Sequence, residues 1–235
     1  MELFFTNPEN ISEDRAVFDE FESRHILKTL RKSTGDLIEF TDGAGGHYLG
    51  EIRQERPLLT VKPELIKQYV RPEIRMIAGV GFIKQARLDF MIEKGTELGI
   101  DRFIFFDSKF ANYFTDNIHR WQKISRQAIK QSLRFHLPEF GAYRSFNDFL
   151  DAVEGIKYKL LAEKSAASGW NEIIRELAPV DDDIVFVTGP EGGLETREID
   201  AALARGFSGV TFGNFRLRTE TAVLSAATLV NLLRT

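Results

Sequence analysis

The stretch IVFVTGPEGGLETREI, Ile184 to Ile199, decides the fold. Its first residues, Ile184 to Val187, favour extended chain; a Gly-Pro-Glu-Gly-Gly turn follows, and a helical pattern opens at once. A strand, a glycine turn and a helix N-terminus in that order bring free backbone N–H groups to one spot, where a ligand with a negative or electron-rich group can sit. A glycine-rich turn with no ligand satisfies the same local pattern, so the rest of the chain has to decide between the two.

The familiar phosphate loops do not fit. A Walker loop needs Lys followed by Ser or Thr after its second glycine, and GPEGGLET has no lysine. In GVGFIK, Gly79 to Lys84, a lysine stands where a dinucleotide fingerprint needs its third glycine. Those glycines are expected to permit tight packing instead. Glu191 inside the 188–193 turn also opposes a phosphate, because one anion beside another costs energy. The turn suits a ligand that approaches backbone closely and carries hydrogen-bonding edges or positive charge. S-adenosyl-L-methionine has that chemistry: a sulfonium, an ammonium, an adenine and no phosphate.

Around this stretch, the apolar segments IRMIAGV, RFIFFD, YKLLA, DIVFVTG and GVTFG alternate with helical patterns near 86–98, 118–135, 170–177, 194–204 and 219–233. Strands that are apolar throughout and alternate with helices predict an α/β domain whose parallel sheet is covered on both faces. Ligands of such sheets bind at the carboxyl ends of strands, where the quoted turn lies. The first part of the chain differs. One helical segment, VFDEFESRHILKTLRK, precedes the short strand-like pieces DLIEF, HYLGEI and LLTVK, with the hairpin signal TDGAGG between the first two. The expected organisation is a compact β-barrel module over 1–68 and an α/β domain over 69–235. KPELIKQYVRPE, with a proline near each end, reads as the connection.

Bulk composition narrows the class. The 235 residues are 43% hydrophobic and 28% charged, as in a globular protein. No apolar run has membrane-spanning length, and MELFFTNPENISEDR lacks the plan of a signal peptide. The chain has no cysteine, which rules out disulfides, thiolate nucleophiles and cysteine metal sites, and a cytoplasmic setting is expected. The net charge of −4 hides a local excess: from Asn117 to Leu137 there is no acidic residue, whereas Arg120, Lys123, Arg126, Lys130 and Arg134 all fall there. At about 100° per residue, Arg120, Lys123, Gln127, Lys130 and Arg134 share a narrow stripe, while Ile118, Trp121, Ala128, Ile129 and Ser132 lie elsewhere on the helix. Without i,i+4 carboxylates these cations repel one another by a few tenths of a kcal/mol per pair. A plainly solvated face and a surface for a phosphate backbone both remain open.

A second stretch repeats the first arrangement. In FGNFRLRTETAVLSAATLV, Phe212 to Val230, a strand again ends in glycine, a short loop follows and a helix opens, with Thr219 or Thr221 expected as its cap. Ala222, Ser225, Ala226 and Ala227 permit close packing of that helix. Two glycine turns at two strand ends, each feeding a helix, point to one shared cleft.

GPEGG, the terminal LRTETA, RLDFMIEKGTELGI, QAIKQSLR and the earlier HILKTLRKSTGDLIEFTDG together resemble the ribosomal RNA small-subunit methyltransferase E family, of the SPOUT class of knotted methyltransferases. The resemblance spans nearly the whole chain, and its specificity lies in the order and spacing of the motifs. It implies an α/β fold with a SPOUT-type parallel sheet and a C-terminal trefoil knot, an exception to the rule that chains do not thread themselves. It also implies a small N-terminal PUA-like β-barrel, a homodimer and S-adenosyl-L-methionine held in the knot. Carried onto this chain, the cofactor would touch Leu161, Ala162 and Glu163; Thr188, Gly189, Gly192 and Gly193; and Phe212, Gly213, Asn214, Leu217, Arg218 and Thr219. The implied reaction is methylation of N3 of a uridine in small-subunit ribosomal RNA, free or in the assembled subunit.

That chemistry suggests roles. Uridine N3 must lose its proton while charge spreads onto O2 and O4. Arg218 is the cation expected to face that charge, because guanidinium keeps its protonation and offers a planar donor fork. Glu220 is the candidate proton acceptor, or else holds Arg218 in place. RNA is expected to meet Arg120, Lys123, Arg126, Lys130 and Arg134 on the cationic helix and Arg15, Arg31 and Lys32 in the first module.

The chain also departs from the family pattern. Glu195 stands where such chains often carry Ser, so the helix that follows is expected to start less firmly. The loop GNFRLR has Asn214, Phe215 and Arg216 at its middle positions, and DSKFANYF holds Lys109 as its only cation. Two alternatives stay open: a non-catalytic RNA-binding or ribosome-assembly factor of the same fold, and a methyltransferase for a different RNA position.

Overall fold

The computed structural model describes residues 2–111, 114–164, 166, 168–177 and 180–234. The chain divides into two compact units: Met1–Arg71 with Arg126–Leu137, and Pro72–Ser125 with Pro138–Thr235. Among the described residues no helix is long and apolar enough to cross a membrane.

The first unit contains β1 (Leu3–Phe5), β2 (Ala16–Val17), α1 (Glu20–Arg24), β3 (Leu37–Thr41), β4 (Gly46–Gln54) and β5 (Thr60–Gln68). Its sheet has the order β1-β3-β4-β5-β2, with β1 parallel to β3 and the remaining pairs antiparallel. Phe18, Ile26, Phe40, Ile52 and Leu59 are fully buried and form its core. The TDGAGG turn closes the β3–β4 hairpin with Gly43 and Gly45 at φ of 70° and 105°, and Asp42 Oδ1 accepts the N–H groups of Ala44 and Gly46 at 2.7 and 2.9 Å. Asp19 caps α1 by accepting the Glu22 N–H at 2.8 Å. The helix then widens into a π-helical turn over His25–Thr29.

One expectation is corrected here. KPELIKQ is strand rather than connection, because β5 continues to Gln68 against β4. Its proline is tolerated because β2 flanks β5 only at Thr60 and Val61, so beyond that point no strand among the described residues pairs with that side.

The second unit runs β6 (Met76–Gly81), α2 (Gln85–Glu97), β7 (Arg102–Phe106), α3 (Ile118–Ser132, its residues to Ser125 in this unit), β8 (Glu139–Tyr143), α4 (Phe146–Ala152), β9 (Tyr158–Ala162), α5 (Trp170–Leu177), β10 (Ile184–Thr188), α6 (Thr196–Ala204), β11 (Ser208–Val210) and α7 (Thr219–Leu233). The six strands make one parallel sheet in the order β11-β9-β10-β6-β7-β8. Both faces are covered, as the apolar strands predict. On β10, Ile184 and Phe186 join the core built with Leu88, Met91, Val223 and Ala226 of α2 and α7. Val185 and Val187 join the opposite core with Phe149 and Leu150 of α4 and Ala202 of α6. β8 and α4 are elements that the sequence patterning did not show.

The glycines of GVGFIK do permit tight packing. A Cβ on Gly79 would lie 2.4 Å from the Phe149 ring, and one on Gly81 would lie 2.5 Å from Pro190 Cδ. The second contact seats the GPEGG turn against β6.

Candidate active site

Strand order brings the site together. β9 lies between β11 and β10, so the turns leaving these three strands are neighbours although they are far apart in sequence. They wall a cleft of about 610 Å³. Ala162, Glu163 and Lys164 come from the end of β9, Thr188 to Leu194 from the turn after β10, and Arg216 to Thr219 from the turn before α7.

The middle turn is held tightly. A Cβ on Gly189 would stand 2.8 Å from the Gly193 carbonyl carbon and the Leu194 nitrogen, so only glycine fits. Gly193 has φ of 83°, a conformation L side chains rarely adopt, and its N–H donates to Pro190 O at 2.9 Å. The start of α6 is firmer than expected. The Glu198 carboxylate accepts the Glu195 N–H at 2.8 Å and the Lys109 N–H at 3.0 Å, so Glu195 is bonded through its backbone and the absent Ser is compensated.

Neither threonine caps α7. Arg218 occupies the N-cap position with no side-chain cap bond, and Thr219 instead donates its hydroxyl to Gly189 O at 2.9 Å, fastening one turn to the other. From α2, Arg87 reaches the Glu191 carboxylate at 3.2 Å and Glu220 at 3.8 Å. Arg216 donates to Glu191 O at 2.8 Å. Glu220 is buried, and its Oε2 has no hydrogen-bond partner among the described residues; the Thr188 hydroxyl is likewise buried and unpartnered. The cation beside Glu220 is therefore Arg87, and the alternative role of holding Arg218 gives way to this pairing.

Of the residues expected at the cofactor, Ala162, Glu163, Thr188, Gly189, Gly192, Gly193, Leu217, Arg218 and Thr219 line the cleft. Phe212 lines a smaller hollow of about 100 Å³ that shares the Ala162–Lys164 wall. Leu161 turns into the core beneath the sheet, and Gly213 and Asn214 lie on the exposed part of their loop. The cleft also contains Arg87, Leu194, Ile199 and Ala222, which were not expected there. Ile199 and Ala222 sit one turn inside helices whose starts were identified, so helical spacing could have found them. Arg87 opens the RLDFMIEKGTELGI motif, but it lies far from the glycine turn in sequence and nothing in helical spacing aims it there.

The cationic stripe needs correction. Lys130 is buried and paired with the buried Glu22, so it does not lie on a wet face. Burial pushes the Glu22 carboxyl above the usual carboxylate range, against the opposing pull of Lys130. Arg126 donates to Asn7 Oδ1 at 3.0 Å and lies over the Phe5 ring at 4.8 Å. Arg120 grips Asp89 with two hydrogen bonds, at 3.0 and 2.5 Å, which together hold the Asp89 carboxyl below its usual range. For Arg120 and Lys130 the carboxylates missing at i,i+4 are supplied by other elements, which a helix-local argument cannot see. Lys123, Arg134, Arg15 and Arg31 are exposed, and Lys32 is half-buried.

With this geometry in place, comparison with known proteins supplies the class. The chain belongs to the RNA methyltransferase domain family, which matches residues 71–231. Among curated relatives, the ribosomal RNA small subunit methyltransferase E of Bacillus subtilis is 28% identical over 225 residues, 89% of this chain and 87% of its own. That of Synechocystis is 27% identical over 229 residues, covering 96% of this chain and 76% of the relative. The resemblance seen in the sequence motifs is thus borne out. Among solved structures, a probable rRNA-methyltransferase from Porphyromonas gingivalis superposes with a TM-score of 0.86 at 27% identity, covering 100% and 98% of the two chains. A ribosomal RNA small subunit methyltransferase E from Neisseria gonorrhoeae, solved bound to S-adenosyl methionine, gives 0.82 at 26% identity, covering 99% and 98%.

Proposed function

We propose that this chain binds S-adenosyl-L-methionine in the cleft at the ends of β9, β10 and β11 and methylates N3 of a uridine in small-subunit ribosomal RNA. The observation that carries the proposal is the convergence of three strand-exit turns on one cleft in a chain of the RNA methyltransferase domain family. The cleft's chemistry fits the ligand. Glycine backbone at Gly189 and Gly193 allows close approach, Leu194, Ile199 and Leu217 offer apolar walls, and the unpartnered Thr188 hydroxyl is available for a hydrogen bond. Glu163 is a carboxylate suited to a cationic group, that of Glu191 is held by Arg87, and no lysine follows the glycines of the turn as a Walker loop requires.

When bound, the cofactor supplies a methyl carbon activated by its sulfonium. The protein has to align the uridine and manage its proton. Alignment contributes up to about 7–11 kcal/mol, and a general base typically about 10²–10⁴-fold. Arg218, in the cleft lining, serves as the cation for charge spreading onto the uracil oxygens. Glu220 Oε2, buried and without a hydrogen-bond partner among the described residues, is the proton acceptor, and Arg87 lies beside the other carboxylate oxygen at 3.8 Å. RNA contacts are assigned to Arg15, Arg31 and Lys32 of the first unit and to Lys123 of the second.

A PUA-like barrel over 1–68, a trefoil knot, a homodimer and a cytoplasmic setting belong to the same proposal. The five-stranded first unit supports the barrel, and the fastening of the turn before α7 to the turn after β10 supports the knot. The test is methyl transfer to small-subunit particles lacking the modification, with the product nucleoside identified by mass. A 3-methyluridine product is expected; a methyl group on another atom or base would replace the assignment, and no transfer alongside cofactor binding would favour a binding protein.

A further inference from the structure

The first turn of α6 has two faces. Leu194, just before the helix, and Ile199 line the 610 Å³ cleft, whereas Arg197, Glu198 and, a turn further on, Ala201 line a second cleft of about 430 Å³. The opposite walls of this second cleft come from Asp107–Lys109 after β7 and Arg144–Asn147 after β8, again at strand carboxyl ends. Lys109, Arg144 and Arg197 are all exposed, and among the described residues no carboxylate lies at ion-pair distance from any of the three. The two acidic residues in the walls are engaged by backbone. Asp107 Oδ1 accepts the Ser108 N–H at 3.0 Å, and Glu198 accepts the N–H groups of Lys109 and Glu195. The Arg144 guanidinium stacks on the Phe114 ring at 3.9 Å, which fixes its plane.

We propose that this second cleft holds the phosphate backbone of the substrate RNA beside the nucleotide being methylated. The inference rests on the RNA-methylation reading above and deepens it. Three exposed cations from three separate segments suit a strand running past them. Each phosphate contact releases condensed counterions, so exposed cations contribute without being buried. A site for one small anion would instead enclose it with converging donors. The distance also fits, because a single helix, about 10–12 Å across, separates this cleft from the methyl-transfer cleft.

The experiment compares the full-length chain with Lys109→Ala, Arg197→Ala and the double variant. It measures binding to small-subunit ribosomal RNA across a salt series and S-adenosyl-L-methionine affinity by calorimetry. Each substitution is expected to weaken RNA binding, and each lost contact to shrink by about threefold the drop in affinity between 50 and 200 mM salt. Cofactor affinity should stay unchanged. If the wild-type chain binds and methylates RNA while the double variant keeps the same affinity and salt slope, the second cleft is not the backbone site and the methyltransferase reading survives. If inorganic phosphate binds there tightly and RNA does not displace it, the cleft is a small-anion site and the proposal fails. If the wild type takes up cofactor yet binds no RNA, both readings fail together.

Discussion

The hydroxyl of Thr219, the first residue of α7, donates to the carbonyl of Gly189, the first residue after β10, at 2.9 Å. One hydrogen bond therefore joins two turns that leave different strands and wall the same cleft. Thr219 is buried, so without its hydroxyl the Gly189 carbonyl loses a partner that water does not readily replace. Thr219→Val, which keeps the shape, is expected to cost about 1–2 kcal/mol, read as roughly five- to thirtyfold weaker S-adenosyl-L-methionine binding in calorimetry. Thr219→Ser should retain the wild-type affinity. Equal affinity in all three proteins would mean that the bond does not organise the cleft.

Gly189 itself tests the cradle. A methyl group there meets the Gly193–Leu194 peptide at 2.8 Å, and backbone cannot swing away as a side chain can. Gly189→Ala is expected to abolish cofactor binding while far-ultraviolet circular dichroism and cooperative unfolding are retained. Gly155→Ala is the control, because a Cβ there meets nothing within 4 Å. A Gly189→Ala protein that binds the cofactor normally would show the turn to be pliable.

The difference between these glycines marks what the sequence could disclose. The parallel sheet, the two glycine turns and their shared cleft follow from periodicity and from glycines placed at strand ends, all of which are local. Thr219 was singled out but given the wrong partner, since propensity favours a cap and only tertiary proximity offers the Gly189 carbonyl. Lys130 failed for the same reason. A carboxylate on another element is invisible to helix spacing, and so is Arg87 reaching the glycine turn from α2. β5 ran past the expected boundary because a proline reads as a break unless the strand is known to have an open side.

Lys130 and Glu22 make a second kind of prediction. Both are buried, and Glu22 Oε2 has no hydrogen-bond partner among the described residues. Removing one partner leaves a buried charge uncompensated, so Lys130→Met alone is expected to destabilise by about 3–5 kcal/mol in denaturant unfolding. Combined with Glu22→Leu, it should return to near wild-type stability or exceed it. The pH dependence has a definite sign. Burial raises the folded-state pKa of Glu22 above its ordinary 4.5, so the folded chain holds this proton more tightly than the unfolded chain. Its contribution to stability is complete below that ordinary value and is lost as pH rises through the raised one. Relative to the double variant, the wild type should therefore gain stability on acidification. An opposite slope would mean that attraction to Lys130 outweighs desolvation.

Arg218, Glu220 and Arg87 divide the chemistry in a way that kinetics can separate. Arg218 sits at the cleft wall with no side-chain cap bond to α7, so its removal should leave the fold and the cofactor cradle in place. Arg218→Ala is expected to abolish methyl transfer while calorimetric cofactor affinity stays within a few-fold. Glu220→Gln keeps the size of the buried side chain and removes its basicity. The expected loss in kcat is about 10²–10⁴-fold, with cofactor affinity unchanged. Arg87→Ala differs from both, because Arg87 serves Glu191 in the turn as well as Glu220 beside it. It should weaken cofactor binding and lower kcat together, and Arg87→Lys should recover only part of each, since an ammonium cannot reproduce the guanidinium fork. Full turnover in Glu220→Gln would move the proton acceptor elsewhere, and an Arg87→Ala defect confined to kcat would show that its contact with Glu191 does not shape the cradle.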